Sequence, residues 1–236
     1  MTESTTRRLM HRDERQAQVL AAAAVAFGRG GFAATSMDDV ATEAGITRLI
    51  VYRHFDSKED LYRAVLTKVT DRLSEEWQRG VELEDRRGMV FRTLLLVARE
   101  QPDGFRLLFE HAAREPQFAD FAERFRTIQV EVADQLVGET IPDPRFRAWV
   151  TRTIVGYLVD SVLAWLEVGE PAGDEEFIDQ ASAGLVAMYV AWLPADPAHR
   201  PHRPDRPDRA DLADRAHWAD WADRPDCADW GPGSGD

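Results

Sequence analysis

The segment from residue 36 to residue 61, SMDDVATEAGITRLIVYRHFDSKEDL, constrains the fold most, because it encodes two short helices joined by a tight turn. The Ser36 hydroxyl can accept a hydrogen bond from a free amide two or three residues later and so begin the first helix. Gly45 can adopt the positive φ that ends that helix. On the second helix, Val51 and Phe55 lie one turn apart and face inward. The pattern predicts a helix-turn-helix motif.

A third helix is predicted to begin directly after Phe55. Ser57 and Asp60 form a Ser-x-x-Asp variant of the capping box, and Lys58 lies near the start of this helix. An ordinary helical corner is the alternative interpretation, since helix pairs joined through glycine are common. Here an N-cap, the small Ala41, a turn glycine and a polar Tyr-Arg-His run coincide. We therefore expect a DNA-reading module.

Six motifs extend this pattern: AAAVAF at residues 22–27, GF at 31–32, TSMDDVA at 35–41, AGIT at 44–47, YRHF at 52–55 and SKEDL at 57–61. Through them the chain resembles the tetracycline-repressor-like (TetR) family of transcriptional regulators over about residues 13–70, and beyond residue 70 only in general layout. The resemblance implies an all-α fold, with an N-terminal three-helix helix-turn-helix DNA-binding head on an all-helical ligand-binding and dimerisation body. The predicted domains are a flexible arm at 1–12, the DNA-binding domain at 13–56, the body at 57–193 and a low-complexity tail at 194–236.

The resemblance also implies which residues contact DNA. Phosphates would be contacted by Tyr52, His54 and Lys58, and the first helix would be anchored to the DNA backbone by Thr35 or Ser36. The residues that approach base edges would be Thr47, Arg48 and Ile50. Arg53 lies on the same surface. Leu49 and Ile50 depart from the family, which often has glycine and a small polar residue there. Neither side chain can donate a hydrogen bond to a base. We expect Ile50 to meet thymine methyl groups, Arg48 to be the main polar reader, for example of guanine, and Leu49 to pack inward.

The net charge of −13 is unevenly distributed along the chain. Residues 1–68 hold 10 basic and 9 acidic side chains, and the rest of the chain holds 19 and 33. A head of charge +1 joined to a remainder of −14 is expected to bind DNA through local phosphate contacts, because the body repels the duplex. The N-terminal segment contains Arg7, Arg8, Arg12 and Arg15. Two interpretations are open: an arm that reaches into a minor groove, or a terminus that is merely soluble and disordered.

Cytoplasmic localisation is predicted. Cys227 is the single cysteine, so no intrachain disulfide can form, which fits a reducing compartment. The N-terminus contains no apolar signal-peptide core. The longest uncharged run, residues 180–195, is sixteen residues long and is interrupted by serine and glycine. We therefore expect no membrane association.

The rest of the chain has helical patterns. One long amphipathic helix from the head into the body is predicted by the four-residue recurrence of Leu61, Val65, Val69, Leu73 and Trp77. Further helical patterns cover residues 85–100, 103–114, 116–137, 144–168 and 174–193. The sequence contains neither alternating strand-like runs nor a nucleotide-cradling glycine loop. This supports the all-α fold.

The last two of these helices are apolar on nearly every side. Such helices need cover on two sides, so we expect a homodimer built on a four-helix seam, with burial at the centre of a monomer as the alternative. The resemblance implies the same seam. Two heads related by a twofold axis would read half-sites about 34–36 Å apart on a palindromic operator. The predicted interface residues are Trp149, Gly156, Val159, Leu163, Ala183, Gly184 and Ala187.

Aromatic side chains on the middle helices, with a few polar residues among them, suggest a small effector that is largely apolar. The predicted ligand-binding residues, for which core packing or a solvated surface is the alternative, are Trp77, Phe105, Phe109, His111, Phe125, Gln129 and Tyr157. No cofactor and no metal are expected, since the histidines and Cys227 of the tail match no zinc-site spacing. The tail is expected to be disordered. Its tryptophans can dock on a partner or on the body.

Together these features predict a ligand-responsive transcriptional regulator that binds a palindromic operator in double-stranded DNA as a homodimer. It is expected to be a repressor, released when the effector stabilises one placement of the connector helix, residues 61–77. Two alternatives remain open. An all-helical adaptor without DNA affinity would fit the departure at Leu49 and Ile50 and the acidic charge. An all-helical enzyme would need a convergent catalytic set, and we find none in the sequence.

Overall fold

The computed structural model describes residues 12–83, 87–138 and 140–193, except for the side chain of Leu136. Within these ranges every regular element is helical and none is a strand, so the predicted all-α fold is confirmed. Arg7 and Arg8 of the predicted arm lie outside the described residues, as does the predicted tail with Cys227 and its tryptophans.

The described residues form nine α-helices, which are α1 (Arg12–Ala34), α2 (Met37–Glu43), α3 (Arg48–Tyr52), α4 (Lys58–Val81), α5 (Met89–Glu100), α6 (Pro102–Arg106), α7 (Ala119–Val137), α8 (Pro144–Val168) and α9 (Asp174–Trp192). A π-helical turn at Leu107–His111 and a 3-10 turn at Ala112–Arg114 follow α6. A further 3-10 turn at Pro171–Gly173 precedes α9. Helix α1 is kinked near its end, at Gly31, where φ is 73°.

Helix starts follow from local chemistry. Helix α8 begins at Pro144, whose missing amide is harmless in a first turn. Asp143 caps it, since its carboxylate accepts hydrogen bonds from the amides of Arg145 and Phe146 at 2.8 and 3.1 Å. The segment predicted as one helix over 103–114 divides instead into α6 and the two turns that follow it. Apolar spacing does not reveal this, because these helical forms differ in their backbone hydrogen bonds.

The described chain forms two compact units. The first unit comprises residues 12–69 and 101–119, and the second comprises residues 70–100 and 120–193. Helix α4 contributes to both, because the boundary falls between Val69 and Thr70. We call residues 12–69 the head. The predicted domain limits stay predictions.

The core of the first unit is built from α1 to α4 and the segment 101–119. Its largest fully buried side chains are Val19, Phe27, Val40, Val51, Leu61, Tyr62, Leu66, Phe105, Leu107 and Phe118. Helix α1 is long and apolar enough, by length and composition, to pass as a membrane span. Core helices of globular proteins pass the same test, and much of the apolar side of α1 is buried within this unit.

In the second unit, a hydrogen-bonded cluster joins α5 to the start of α9. Arg99 donates to Asp174 Oδ1 at 2.8 Å, and the indole N–H of Trp165 donates to the same oxygen at 2.7 Å. The hydrogen bond from Arg99, with the one from Trp165, holds the pKa of Asp174 below its usual value. The rings of Trp165 and Phe177 stack with centroids 5.0 Å apart. These contacts fix the connection between α8 and α9 against α5.

Candidate nucleic-acid interface

Helix α2 begins with the hydrogen bonds that the sequence predicts. Ser36 Oγ accepts from the amide of Asp39 at 3.2 Å, and Asp39 Oδ2 accepts from the amide of Ser36 at 2.8 Å. Together these form a capping box. The side-chain hydrogen bond from Ser36, followed by the backbone one, lowers the pKa of Asp39. Ser36 remains exposed at the surface of the head.

The turn between α2 and α3 also follows the prediction. Gly45 has a φ of 64°, and the amide of Ile46 donates to the carbonyl oxygen of Ala41 at 3.0 Å. Both side chains predicted to face inward are buried, Val51 completely and Phe55 at 7% exposure. The helix-turn-helix geometry is therefore present within the first unit.

The outer surface of α3 carries no acidic side chain. Its exposed residues, together with the N-cap and C-cap, are Thr47, Arg48, Leu49, Tyr52 and Arg53, and the half-buried ones nearby are Ile50 and His54. The surface of α3 that faces away from the core is therefore basic, aromatic and apolar.

The prediction that Leu49 packs inward is wrong, because its side chain is 63% exposed. Successive residues of an α-helix are separated by about 100°. Leu49 precedes the buried Val51 by two positions and so points to nearly the opposite side of α3. Ile50 precedes Val51 by one position and lies on the flank, where it is half-buried.

Arg48 is held along the protein surface by its neighbours. Its Nη1 lies 2.6 Å from Asp38 Oδ2, and its Nη2 donates to the Tyr52 hydroxyl at 3.2 Å. Its guanidinium carbon lies 5.2 Å from the centre of the Tyr52 ring. The hydrogen bond to Tyr52, followed by the charge of Asp38, raises the pKa of Arg48. Arg48 therefore has a fixed direction on the exposed surface.

Lys58 has a role within the head that the sequence did not reveal. Its Nζ donates to the carbonyl oxygen of Phe32 at 2.8 Å and lies 4.3 Å from the centre of the Phe32 ring. A cation is favourable there, because the last carbonyl groups of a helix have no partner within the helix. The predicted phosphate contact of Lys58 stays a prediction.

Thr35 is only 5% exposed. Its hydroxyl donates to the carbonyl oxygen of Gly31 at 2.8 Å and lies 3.2 Å from that of Ala26. The side chain thus joins the end of α1 to the start of α2, inside the protein. Of the two residues predicted as alternative anchors to the DNA backbone, Ser36 is the one with an exposed hydroxyl.

The segment 101–119 contributes to the head's aromatic core. Glu115 Oε1 accepts from the amide of Phe32 at 3.1 Å, and the buried Phe118 packs edge-to-face on Phe32 with centroids 5.0 Å apart. Tyr62 lies against both rings. Burial, followed by the charge of Glu115, raises the pKa of Tyr62. No local signal in the sequence shows that Phe118 packs with the head.

The seven predicted ligand-binding residues are divided between the two units. Phe105, Phe109 and His111 belong to the first, while the second holds Trp77, Phe125, Gln129 and Tyr157. Phe105 is fully buried and packs on Phe109 with centroids 4.5 Å apart. Tyr157 donates its hydroxyl to the carbonyl oxygen of Ala181 at 3.1 Å, so this group joins α8 to α9. The predicted ligand-binding role of each of these residues stays a prediction.

The predicted dimer residues also divide into two groups. Val159 is 8% exposed, and a Cβ on Gly184 would lie 2.5 Å from the Tyr157 hydroxyl, so these two face the chain's own interior. Both lie where α8 and α9 pack on each other within one chain, and their place in a dimer interface stays a prediction. The others stand open or partly open, namely Trp149, Gly156, Leu163, Ala183 and Ala187. The Trp149 ring contacts those of Phe146 and Trp192.

Among the described residues, no three His, Cys, Asp or Glu side chains come together as metal ligands. The sequence model described as "Bacterial regulatory proteins, tetR family" matches residues 19–65. The HTH-type transcriptional activator FasR of Mycolicibacterium smegmatis is 33% identical over 199 residues, which cover 77% of this chain and 83% of that protein.

Solved structures share the fold. A tetR-family transcriptional regulator from Streptomyces coelicolor superposes with a TM-score of 0.53 at 24% identity, covering 87% of this chain and 97% of that one. AibR, solved in complex with isovaleryl coenzyme A and operator DNA, superposes with a TM-score of 0.55 at 20% identity, covering 72% of this chain and 97% of that one.

Proposed function

Because this chain belongs to the TetR family and is a DNA-binding transcriptional regulator, not an enzyme, we propose that it binds a palindromic operator as a homodimer and leaves it when a small effector binds. The observation that carries the proposal is the outer surface of α3, which presents arginine, threonine and tyrosine and no acidic side chain. A surface of this kind suits a major groove lined by phosphates. We further propose that the chain acts in the cytoplasm, where it reaches DNA.

The DNA contacts divide by chemistry. The exposed Tyr52 and Arg53 are suited to phosphate oxygens, because both carry hydrogen-bond donors at the surface of the head. Ser36 is exposed as well, and its hydroxyl donates to Asp39 Oδ2 at 2.7 Å. Thr47 and Arg48 lie at the start of α3, where side chains approach base edges when a helix enters a major groove. His54 is half-buried and lies beside Phe55, at the edge of the surface proposed to contact DNA.

Dimerisation is proposed to use the open side of α8 and α9. On α8, a Cβ at Gly156 would meet no atom within 4 Å, so a second helix can approach closely there. On α9, Ala183 and Ala187 lie one turn apart and are exposed. Small residues on both helices favour a closely packed seam between two copies. A twofold axis through this seam would place two heads on successive major grooves, about one helical turn apart.

The effector is proposed to be small and largely apolar, with an acyl or aromatic group. The aromatic side chains of the predicted set support an apolar ligand, and AibR, which has the same fold, was solved with isovaleryl coenzyme A. Effector binding would alter head separation through α4, which continues from the head into the second unit. A coupling of about 1–3 kcal/mol would change operator affinity roughly 5- to 150-fold. That the chain acts as a repressor stays a prediction.

Selection of tightly bound duplexes from a random pool tests this function. We expect enrichment of a palindrome whose half-sites are about one helical turn apart. Arg53→Ala should weaken binding to every enriched duplex by a similar factor, since a phosphate contact carries no sequence information. Arg126→Ala, an exposed arginine on α7, is the matched control and should bind as the wild type does. Enrichment of no duplex would favour the adaptor function.

The effector switch needs its own measurement. Acyl compounds, including isovaleryl coenzyme A, would be screened for thermal stabilisation of the protein and then titrated into the protein bound to the selected duplex. We expect a stabilising compound to lower operator affinity. If operator affinity is unchanged by every compound that raises the melting temperature, the proposed switch fails.

A further inference from the structure

The exposed apolar side chains of the first unit are concentrated on α3. Among its described residues, the large hydrophobic side chains with high exposure are Leu49, at 63%, and Tyr52, at 39%. Tyr52 has a hydroxyl that accepts a hydrogen bond from Arg48. Leu49 is therefore the large aliphatic side chain that the first unit presents to its surroundings.

The neighbours of Leu49 on α3 are constrained by contacts within the head. Arg48 is paired with Asp38 Oδ2 at 2.6 Å and with the Tyr52 hydroxyl at 3.2 Å. Ile50 is half-buried, and Val51 is completely buried. Leu49 therefore lies between Arg48, whose side chain is held by these contacts, and two residues that are partly or completely buried. It is thus the side chain of α3 that is open to an apolar contact from outside.

The major groove offers an aliphatic side chain one distinctive partner. Base edges there carry hydrogen-bond donors and acceptors, and thymine alone adds a C5-methyl group. Leucine has no donor or acceptor and would leave the polar edges of the other bases without a partner. Contact with a methyl group removes apolar surface from water on both sides.

We propose that Leu49 is a specificity-determining residue that reads the C5-methyl group of one thymine in each half-site. This inference rests on the proposed operator binding and deepens it. It replaces the sequence-based assignment of thymine contact to Ile50, whose side chain lies on the flank of α3 and is partly covered. Arg48, held by Asp38 and Tyr52, lies beside Leu49 and reads the neighbouring base pair or phosphate.

The test removes the methyl group alone. The duplex enriched by the wild-type protein is resynthesised with deoxyuridine in place of each half-site thymine in turn, since deoxyuridine pairs identically but lacks the C5-methyl group. Wild-type affinity should fall at one position by about fourfold per half-site, the factor expected for loss of one buried methyl-sized group. Leu49→Ala should bind the thymine and deoxyuridine duplexes equally. Ile50→Ala, the matched control, should keep the wild-type preference for thymine.

The proposal is overturned if deoxyuridine changes affinity at no position, or if Ile50→Ala, and not Leu49→Ala, abolishes the preference. In either case operator binding itself would stand. Enrichment of no duplex by the wild-type protein would instead overturn the proposed function, and this inference with it. Circular dichroism melting of Leu49→Ala establishes that the variant is folded, as expected for an exposed position.

Discussion

The ring of Phe118 stacks on the ring of Tyr62, with 4.1 Å between their centroids and 18° between their planes. Phe118 follows the π-helical and 3-10 turns of segment 101–119, and Tyr62 lies in α4 within the head. The same segment reaches the end of α1 through Glu115, which accepts a hydrogen bond from the amide of Phe32. Because Tyr62 and Phe118 are both fully buried, any displacement of this segment must disturb the core of the head.

Phe118→Ala is expected to lower the free energy of unfolding by about 3–5 kcal/mol, because it leaves a cavity beside Tyr62 and Phe32. Urea denaturation followed by circular dichroism measures the loss. Phe146→Ala is the matched control, since Phe146 is 39% exposed and should cost less. Equal losses for the two variants would contradict the central place of Phe118 in the core.

Tyr62→Phe is expected to leave stability at pH 7 unchanged, or to raise it by up to about 1–3 kcal/mol. The buried Tyr62 hydroxyl has no hydrogen-bond partner among the described residues. Folding also raises the pKa of Tyr62, mainly through burial. The part of the free energy of unfolding that depends on this raised pKa is therefore fully present below the unfolded pKa of about 10, and it is lost as pH rises above that value. Denaturation from pH 8 to pH 11 should show a smaller alkaline loss for Tyr62→Phe than for the wild type.

Asp174→Asn is expected to lower the free energy of unfolding by about 1–2 kcal/mol at pH 7, because it removes the carboxylate that Arg99 and Trp165 contact. The folded pKa of Asp174 is lowered, so its stabilisation is complete above the unfolded pKa of about 3.9 and is lost as pH falls through the folded value. The difference in free energy of unfolding between Asp174→Asn and the wild type should become smaller below about pH 4. Asp179→Asn, at an exposed position of α9, is the control and should change the free energy of unfolding little. A loss for Asp174→Asn that does not vary with pH would contradict the contribution of the ion pair between Arg99 and Asp174.

Lys58→Ala and Arg53→Ala are expected to differ in stability. Lys58 donates to the carbonyl oxygen of Phe32 and lies over its ring, so its removal should lower the melting temperature of the protein. Arg53 is exposed, and its removal should leave the melting temperature unchanged. In fluorescence anisotropy titrations, Arg53→Ala should also reduce the slope of log affinity against log salt by about one. An unchanged melting temperature for Lys58→Ala would show that the Phe32 contact contributes little.

Ala187→Glu is expected to convert the dimer to a monomer, because it places a charge on the open side of α9 that the proposed seam covers. Sedimentation velocity measures the change, and affinity for the palindromic duplex should fall with it. Ala113→Glu, at an exposed alanine of the first unit, is the control and should remain a dimer. A dimeric Ala187→Glu protein would move the interface elsewhere.

The local parts of the fold could be predicted from the sequence. The Ser36 cap, the positive φ of Gly45 and the inward Val51 depend on neighbours within a few residues, and each is present as expected. The start of α8 likewise depends on two adjacent residues, Asp143 and Pro144. Signals of this kind are chemical and short in range, so a single sequence contains them.

Other features depend on contacts distant in the sequence. Thr35 was one of two alternative residues expected to anchor the first helix to the DNA backbone, and its hydroxyl donates to the carbonyl oxygen of Gly31 at the kink of α1. The ammonium group of Lys58 lies on the Phe32 carbonyl oxygen, 26 residues away, and Glu115 reaches Phe32 across 83 residues. Tertiary packing decided these contacts. The exposure of Leu49 is different, because it follows from helix geometry and from the inward-facing Val51 that the sequence already predicts.

The most direct test compares the affinity of the purified full chain for its selected palindromic duplex with its affinity for a scrambled duplex of the same composition, at one salt concentration. If the outer surface of α3 reads base edges, the palindrome should bind at least about 1,000-fold more tightly. Equal affinity for the two duplexes, or no binding to either at low salt, would contradict sequence-specific recognition by this surface.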